Sequence, residues 1–187
     1  MKKTQHPVIL IISGPSGAGK STLSHAMIDA VADTVIAVSH TTRKPRPGEK
    51  NGVDYFFVSQ PEFLNLINKG EMLEHAEVYD QLYGTSRESI ELPLSEGKNI
   101  ILDIDWQGAR RIKSIYPEAI SVHILPPAEQ ESEKRLIARQ QDSEQTIKAR
   151  MATYKEQMSH QDEYDHIVIN DDLAEALQQL LSILPLG

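Results

Sequence analysis

Two kinds of apolar pattern alternate along the chain. Residues 8–12 and the centre of 99–105 are short runs of consecutive Val, Ile and Leu, which are typical of strands buried on both faces. Elsewhere apolar residues recur every three or four positions. In 146–160, for example, a series spaced four, three and four apart runs from Ile147 to Met158. This alternation predicts an α/β fold in which helices cover both faces of a mainly parallel sheet.

The remaining elements follow the same alternation. Further strands are predicted at residues 35–39, 53–58, 72–79, 119–125 and 166–169. Further helices are predicted at residues 22–31, 61–69, 87–95, 107–115, 128–139 and 173–184. Proline and glycine within 41–52 predict a loop. Two segments interrupt the alternation, and we expect them to be insertions (39–97 and 128–150) on a core formed by residues 1–38, 98–127 and 151–187.

The segment between the first strand and the first helix matches the phosphate-loop pattern G-x-x-x-x-G-K-[ST]. It is Gly14-Pro15-Ser16-Gly17-Ala18-Gly19-Lys20-Ser21, with Thr22 after it. The glycines let several backbone N–H groups converge on one anion, and the helix N-terminus adds favourable partial charge. Lys20 can reach the β- and γ-phosphates, and the Ser21 hydroxyl can ligate Mg²⁺. The alternative is a chance glycine turn, which the strand–turn–helix context disfavours.

Composition restricts the partners of this chain. Its 187 residues suit one domain with small insertions, and a net charge of −8 disfavours nucleic acid, which generally requires a basic face. The chain has no cysteine, which excludes disulfides and thiol chemistry and predicts a cytoplasmic location. The apolar run at 8–12 is too short for a signal-peptide core or a membrane span, so no membrane partner is expected. Whether the chain forms a homo-oligomer stays open.

Two aspartates end the predicted strand 99–105. Because residues two apart in a strand share a face, Asp103 and Asp105 should point the same way, beyond the carboxyl end of the sheet where ligands bind in α/β folds. They could hold Mg²⁺, directly or through water, or accept hydrogen bonds from a substrate. A solvated pair of carboxylates is the alternative, less favoured beside a phosphate loop.

The predicted loop 41–52 offers a second anion site. Arg43 and Arg46 lie three residues apart on a segment stiffened by prolines, so their guanidinium groups could fork around one phosphate. Tyr55 and Tyr83 could add hydroxyl donors. A solvated basic loop is the alternative.

Glu74 lies on the aromatic-rich insertion and could recognise a base. A carboxylate there would accept hydrogen bonds from guanine N1–H and the N2 amine, and would repel the unprotonated N1 of adenine. From the residue alone, a solvent-exposed glutamate is the better interpretation.

Three more arginines belong to the second insertion. Arg135 and Arg139 are four apart and share a helical face, and Arg150 lies on the next helix. Positive groups on a mobile helical pair could close over phosphates during transfer. Pairing within the helix, between Glu131 and Arg135, is an equal alternative.

Together these segments resemble the guanylate kinase family of nucleoside monophosphate kinases, from about residue 7 to residue 181. A phosphate loop alone is common, whereas the stretches TTRKPRPGE at 41–49 and LDIDWQG at 102–108, in this order, are far more specific. The likeness also covers residues 51–57, 74–77 and 83–86, and in the second insertion Arg135, Leu136, Arg139, Asp142 and Arg150.

The resemblance implies a P-loop NTPase-type fold with a monophosphate-binding insertion at 39–97 and a helical lid at 128–150. It implies transfer of the γ-phosphoryl group of MgATP to GMP, and to dGMP, giving ADP and GDP in purine metabolism. ATP and GMP are then the expected partners, and Mg²⁺ is the expected cofactor.

The resemblance also implies residue roles. ATP would be bound by residues 14–22, Arg135 and Asn170. GMP would be bound by Ser39, Arg43, Arg46, Tyr55, Glu74, Tyr83, Thr85 and Asp105. The metal would be held by Ser21 and Asp103, and catalysis would depend on Lys20, Arg43, Arg139 and Arg150. One departure is Gln140, which stands where the family pattern has glycine after the lid arginine.

Two other functions fit less well. Residues 105–108 match the D-x-x-G of small GTPases, but the nearest candidate for the guanine-reading N-K-x-D, residues 68–71, ends in glutamate and precedes it. A non-catalytic binding module on the same fold would need neither the Gly19-Lys20-Ser21 sequence nor the two arginine groups.

Overall fold

The computed structural model describes residues 1–4, 6–78 and 80–186. Its strands are β1 (Ile9–Ser13), β2 (Thr34–Ile36), β3 (His40–Thr41), β4 (Phe56–Phe57), β5 (Met72–Val78), β6 (Gln81–Ser86), β7 (Asn99–Asp103), β8 (Ile120–Leu125) and β9 (His166–Ile169). Its α-helices are α1 (Lys20–Ala30), α2 (Gln60–Asn68), α3 (Arg87–Ser95), α4 (Trp106–Ile115), α5 (Glu129–Ala138), α6 (Glu144–Ala152), α7 (Tyr154–Ser159) and α8 (Leu173–Ile183). A short 3₁₀ helix spans Gln161–Glu163.

A parallel sheet forms the centre of the molecule. Within the described residues it has five strands in the order β2-β7-β1-β8-β9. Every residue of β1 is buried, which explains why its sequence is an unbroken apolar run rather than an alternation.

Successive residues of β1 face opposite sides of this sheet. Leu10 and Ile12 join an apolar cluster with side chains of α1 and α8, whereas Ile9 and Ile11 join a second cluster with side chains of α3 and α4. Ile90 of α3 is fully buried in the second cluster. The predicted α/β fold, a parallel sheet with helices on both faces, is therefore confirmed.

A smaller sheet follows β2 and has the order β4-β3-β6-β5. Here β3 pairs with β6, and β6 with β5, in antiparallel fashion. The sequence pattern did not predict β6, because Gly84 interrupts its short apolar run and glycine is depleted in strands. Of the predicted strand 72–79 the structure shows β5, and Tyr79 lies outside the described residues. The predicted strand 53–58 is reduced to β4.

Two predicted elements end earlier than the sequence indicated. The strand 99–105 stops at Asp103, because Asp105 caps α4 by accepting a hydrogen bond from the Gly108 N–H at 2.9 Å. The helix 146–160 is divided into α6 and α7 at Thr153, whose hydroxyl donates to the Arg150 carbonyl at 3.1 Å. No helix in the described part of the chain has the length and apolar character needed to cross a membrane.

Candidate active site

One cleft collects most of the predicted site residues. It encloses about 910 Å³, including its mouth open to solvent. The predicted residues along its wall are Gly14, Ser16, Lys20, Ser39, Arg43, Arg46, Tyr55, Glu74, Tyr83, Asp103, Asp105 and Arg150. The structure also describes the other predicted site residues, which lie outside this wall: Pro15, Gly17, Ala18, Gly19, Ser21, Thr22, Thr85, Arg135, Arg139 and Asn170.

The phosphate loop runs from the end of β1 to the start of α1, as predicted. Gly17 has a φ of 83°, and a Cβ there would lie 2.6 Å from the Ser132 carbonyl oxygen, so glycine is required. The N-cap of α1 is Gly19, which has no side chain to occupy the first N–H groups of the helix. Ser21 and Thr22 are exposed in the first turn of α1. The loop therefore presents free backbone donors to an anion.

Lys20 is held by the loop itself. Its Nζ donates to the carbonyl oxygens of Gly14 at 2.8 Å and Pro15 at 3.3 Å. Burial lowers the pKa of Lys20; the charges of Arg150 and Arg139 add to this effect, and neighbouring carboxylates oppose it. A polyanion bound in the loop would favour the charged lysine.

Two side chains whose oxygen atoms could ligate a metal lie together beside this lysine. The Ser21 hydroxyl donates to Asp103 Oδ2 at 2.9 Å, and Asp105 lines the same cleft from the start of α4. The described residues contain no group of three or more His, Cys, Asp or Glu side chains that could hold a metal by themselves. Mg²⁺ is commonly held by one or two protein oxygens together with phosphates and waters, so Ser21 and Asp103 fit a Mg²⁺ ion that arrives with a triphosphate.

The arginine loop is fixed by a carboxylate. Arg43 donates from both terminal nitrogens to Glu49, at 2.9 and 2.8 Å, and the Arg46 N–H donates to the same carboxylate at 2.6 Å. The Arg43 guanidinium lies 5.4 Å from the centre of the Tyr55 ring. The side chains of Arg43 and Arg46 are 15% and 20% exposed, so the solvated-loop alternative is wrong. Burial raises the pKa of Tyr55, which keeps its hydroxyl protonated as a donor.

A second carboxylate joins the arginine loop to the predicted lid. Asp142 accepts from Arg46 Nε at 3.0 Å, and its other oxygen lies 2.9 Å from Arg150 NH1. Sequence reasoning assigned no role to Asp142 or Glu49. Their signal was their place within the two arginine-rich motifs, but the partner of Asp142 is 96 positions away and only the fold reveals it.

Glu74 is buried, with 5% of its surface exposed, so the solvent-exposed interpretation is wrong. A β-bulge between Met72 and Glu74 explains this burial. It lets the adjacent residues Leu73 and Glu74 both face inward, Leu73 into the core and Glu74 into the cleft.

The surroundings of the Glu74 carboxyl favour its neutral form. Burial raises the pKa of Glu74 to about 7; the charge of Asp105 adds to this, and the hydrogen bond with Thr85 opposes it. A Cβ on Gly108 would lie 2.6 Å from Glu74 Oε2, so only glycine leaves room for the carboxyl group. Thr85 is hydrogen-bonded to the Glu74 carboxyl group, and Ser39 Oγ lies 3.1 Å from Thr85 Oγ1. Both predicted hydroxyls are therefore near that carboxyl group.

Arg135 and Asn170 meet next to the phosphate loop. Arg135 donates to the Asn170 carbonyl at 3.0 Å, and the Asn170 side chain donates to the Ala18 carbonyl at 2.7 Å. The helical pair between Arg135 and Glu131 is also present, at 3.6 Å, so the pairing interpretation of Arg135 is confirmed and its role at a nucleotide stays a prediction. Arg139 is exposed at the end of α5. Burial is the main cause of the lowered pKa of Lys20, and the charge of Arg139 is close enough to lower this pKa further.

Several residues in the wall of the cleft were missed, among them His123, Trp106 and Gln157. His123 pairs in register with Ser13 and is 1% exposed; burial and the charge of Lys20 lower its pKa to about 4. Its position near the carboxyl end of a strand beside β1 was a usable signal. Trp106 follows the second predicted aspartate, and Gln157 on α7 had no signal in the sequence.

Comparison with known proteins agrees with this geometry. A family model described as guanylate kinase matches residues 6–185. The chain belongs to the guanylate kinase family. The guanylate kinase of Shewanella violacea is 51% identical over 177 residues, which cover 94% of this chain and 86% of that protein. The guanylate kinase of Escherichia coli strain K12 is 50% identical over 178 residues, with the same coverage of 94% and 86%.

A solved structure shares the fold. The crystal structure of guanylate kinase from Anaplasma phagocytophilum has a TM-score of 0.78 and 35% identity, and the match covers 95% of this chain and 84% of that one. The resemblance seen in the sequence is thus confirmed, and the enzyme is a nucleoside monophosphate kinase, an ATP:GMP phosphotransferase.

Proposed function

We propose that this guanylate kinase transfers the γ-phosphoryl group of MgATP to GMP or dGMP within a single cleft, giving ADP and GDP. The observation that supports it most is that the phosphate-loop lysine lines the same cavity as Arg43 and Arg46 of the first insertion and Arg150 of the second. Residues 14–22 hold the donor phosphates, and Arg43 and Arg46, with the hydroxyls of Tyr55 and Tyr83, hold the acceptor phosphate.

The reaction requires no general base. A phosphate monoester has a second pKa of about 6, so the attacking oxygen of GMP is mostly anionic at pH 7. The protein contributes positioning and charge neutralisation, by Lys20, Arg43, Arg139 and Arg150 around the transferring group. One well-placed arginine accelerates related phosphoryl transfers by about 10³–10⁵.

The donor side is completed by two further pairs. Ser21 and Asp103 would hold Mg²⁺, which would supply positive charge to neutralise the phosphate oxygens of ATP. Arg135 and Asn170 flank the adenine. Their mutual hydrogen bond of 3.0 Å supports a shared location, next to the loop that holds the phosphates.

The acceptor base is recognised at the Glu74 end of the cleft. The ionised carboxylate accepts from guanine N1–H and the N2 amine, and Ser39, Thr85 and Asp105 surround the same edge. Adenine would place a lone pair at N1 against the buried carboxylate. An unpaired buried group costs about 1–3 kcal/mol or more, which is enough for strong discrimination.

The segments 39–97 and 128–150 act as the acceptor-binding insertion and the lid on a core of 1–38, 98–127 and 151–187. Closure over both nucleotides would exclude water, which would otherwise accept the phosphoryl group. We place the enzyme in purine nucleotide metabolism in the cytoplasm, since a chain without cysteine suits a reducing compartment.

An assay of ADP release tests this specificity. The enzyme is supplied with MgATP and, separately, GMP, dGMP, AMP, CMP or UMP. We expect kcat/KM for GMP to exceed that for AMP by at least about 100-fold, because a buried carboxylate rejects adenine. Comparable rates with GMP and AMP would contradict the assignment of Glu74, and no rate with GMP would contradict the proposed reaction.

A further inference from the structure

Asp142 is a largely buried carboxylate for which the proposed roles leave no function. It lies in the predicted lid, between α5 and α6, and its side chain is 10% exposed. Its two oxygens serve different parts of the molecule. Oδ1 accepts from Arg46 Nε at 3.0 Å and NH2 at 2.9 Å, and Oδ2 lies 2.9 Å from Arg150 NH1.

This arrangement is stronger than an ordinary surface ion pair. The side chains of Arg46 and Arg150 are 20% and 16% exposed, so all three charges are partly withdrawn from water. Charge-assisted hydrogen bonds gain strength when solvent is excluded, and a carboxylate with two guanidinium partners satisfies both of its oxygens. By contrast, the lid pair between Glu144 and Lys148 is 85% and 72% exposed.

Asp142 engages only part of the donor capacity of each arginine. A guanidinium group carries five N–H donors in a planar fork. Arg46 turns its Nε–NH2 edge to Asp142, and NH1 on the other edge lies 3.9 Å from Glu49 Oε1, which is beyond hydrogen-bond distance and leaves room for NH1 to donate to a phosphate. Arg46 and Arg150 line the cleft, whereas Asp142 lies outside the wall formed by the described residues. The carboxylate therefore orients the arginines without occupying the place of a phosphate.

We propose that Asp142 is a positioning residue that couples the acceptor and donor halves of the cleft. The GMP phosphate fixes Arg46, and Asp142 passes that constraint to Arg150 at the transferring phosphoryl group. The inference rests on the proposed roles of these two arginines. Because thermodynamic coupling is reciprocal, a bound ATP analogue should tighten GMP binding by the same factor as GMP tightens the analogue.

The test compares binding of GMP with and without a non-hydrolysable ATP analogue. Trp106, the sole tryptophan, lines the cleft and provides a fluorescence signal. In the wild type we expect the analogue to lower the Kd of GMP by at least about fivefold. In Asp142→Asn, which removes the charge at constant size, we expect no such change, a kcat lower by about 10- to 100-fold, and an unaltered Kd for the analogue alone.

Glu144→Gln is the matched control, because it removes the same charge from an exposed site in the same segment. It should keep wild-type coupling and kcat. If the Asn variant does not fold, as circular dichroism would show, Asp142→Ala with added formate replaces it. Formate should then restore part of kcat, because a small carboxylate can enter the space left behind.

Three outcomes would overturn the inference. The Asn variant could keep wild-type coupling and kcat, it could bind GMP more tightly, or Glu144→Gln could lose coupling equally. Tighter binding would mean that Asp142 competes with phosphate, and an equal loss would mean that any lid charge suffices. A wild-type enzyme that does not phosphorylate GMP would instead contradict the proposed function.

Discussion

At the scale of single residues, burial sets the charge of the groups that meet the substrates. Glu74 has a pKa raised to about 7 by burial, and burial also lowers the pKa of Lys20. In the proposed complexes each group would meet a partner that favours its charged form, the N–H donors of guanine in one case and phosphate oxygens in the other. Substrate binding should therefore change the protonation of the site.

The affinity for GMP should fall as the pH falls through 7. With a pKa of about 7, the Glu74 carboxyl is mostly ionised at pH 8 and mostly protonated at pH 6. Because the ionised form would accept both donors of guanine, we expect the titration of Glu74 alone to weaken GMP binding about tenfold between pH 8 and pH 6. Tryptophan fluorescence titrations at several pH values measure this change.

Glu74→Gln separates this effect from the titration of the GMP phosphate. The variant should bind GMP more weakly at pH 8, and only the change that comes from the phosphate, about twofold, should remain between pH 8 and pH 6. A wild-type affinity that does not vary with pH, or a variant with the full tenfold change, would exclude this role of the carboxyl group.

The sequence indicated which residue types would form the site, but not what holds them. Arg43 and Arg46 could be selected from their spacing alone, because a short loop keeps them together. Asp142 could not be paired with Arg46 from the sequence, since the contact depends on how two distant segments pack. The burial of Glu74 depends on a β-bulge, which local composition does not reveal.

At the scale of elements, the end of α5 contains a strained residue. Gln140 follows the C-cap Arg139 and has a φ of 51°, in the left-handed region. Helices commonly end in this conformation with glycine, which has no Cβ to clash. The departure from the family pattern at this position thus changes the residue while the helix keeps the backbone that glycine would favour.

Gln140→Gly should stabilise the protein. Removing the Cβ relieves about 1–2 kcal/mol of left-handed strain, while the greater freedom of glycine in the unfolded chain costs about 0.4–1 kcal/mol. We expect a gain of about 0.5–1 kcal/mol in the free energy of unfolding in urea. Gln140→Ala keeps the Cβ and should give no gain, and an equal gain in both variants would rule out backbone strain as the cause.

Elements were predictable where one pattern dominated. The apolar runs of β1 and β7 follow from burial on both faces of a parallel sheet, and the structure confirms both strands. The strand β6 contains Gly84, and a Cβ there would lie 2.8 Å from the Glu74 carbonyl oxygen. Close packing between strands selects glycine there, and such packing leaves no periodic signal in the sequence.

At the scale of the whole molecule, a cationic cleft lies in an acidic protein. The net charge is −8, yet Lys20, Arg43, Arg46 and Arg150 line one cavity. Glu49 and Asp142 hold the arginines in place and offset part of their repulsion. Two polyanions can then bind side by side in a molecule whose overall field would repel them.

A single ligand that contains both substrates tests this arrangement most directly. Adenosine and guanosine joined through five phosphates would extend from the phosphate loop to the arginine loop. Calorimetry should find one such molecule per chain, bound more tightly than ATP or GMP and displaced by either one, because joining two ligands makes the second binding event intramolecular. Two molecules bound per chain, or displacement by only one of the nucleotides, would show that donor and acceptor do not share one cleft.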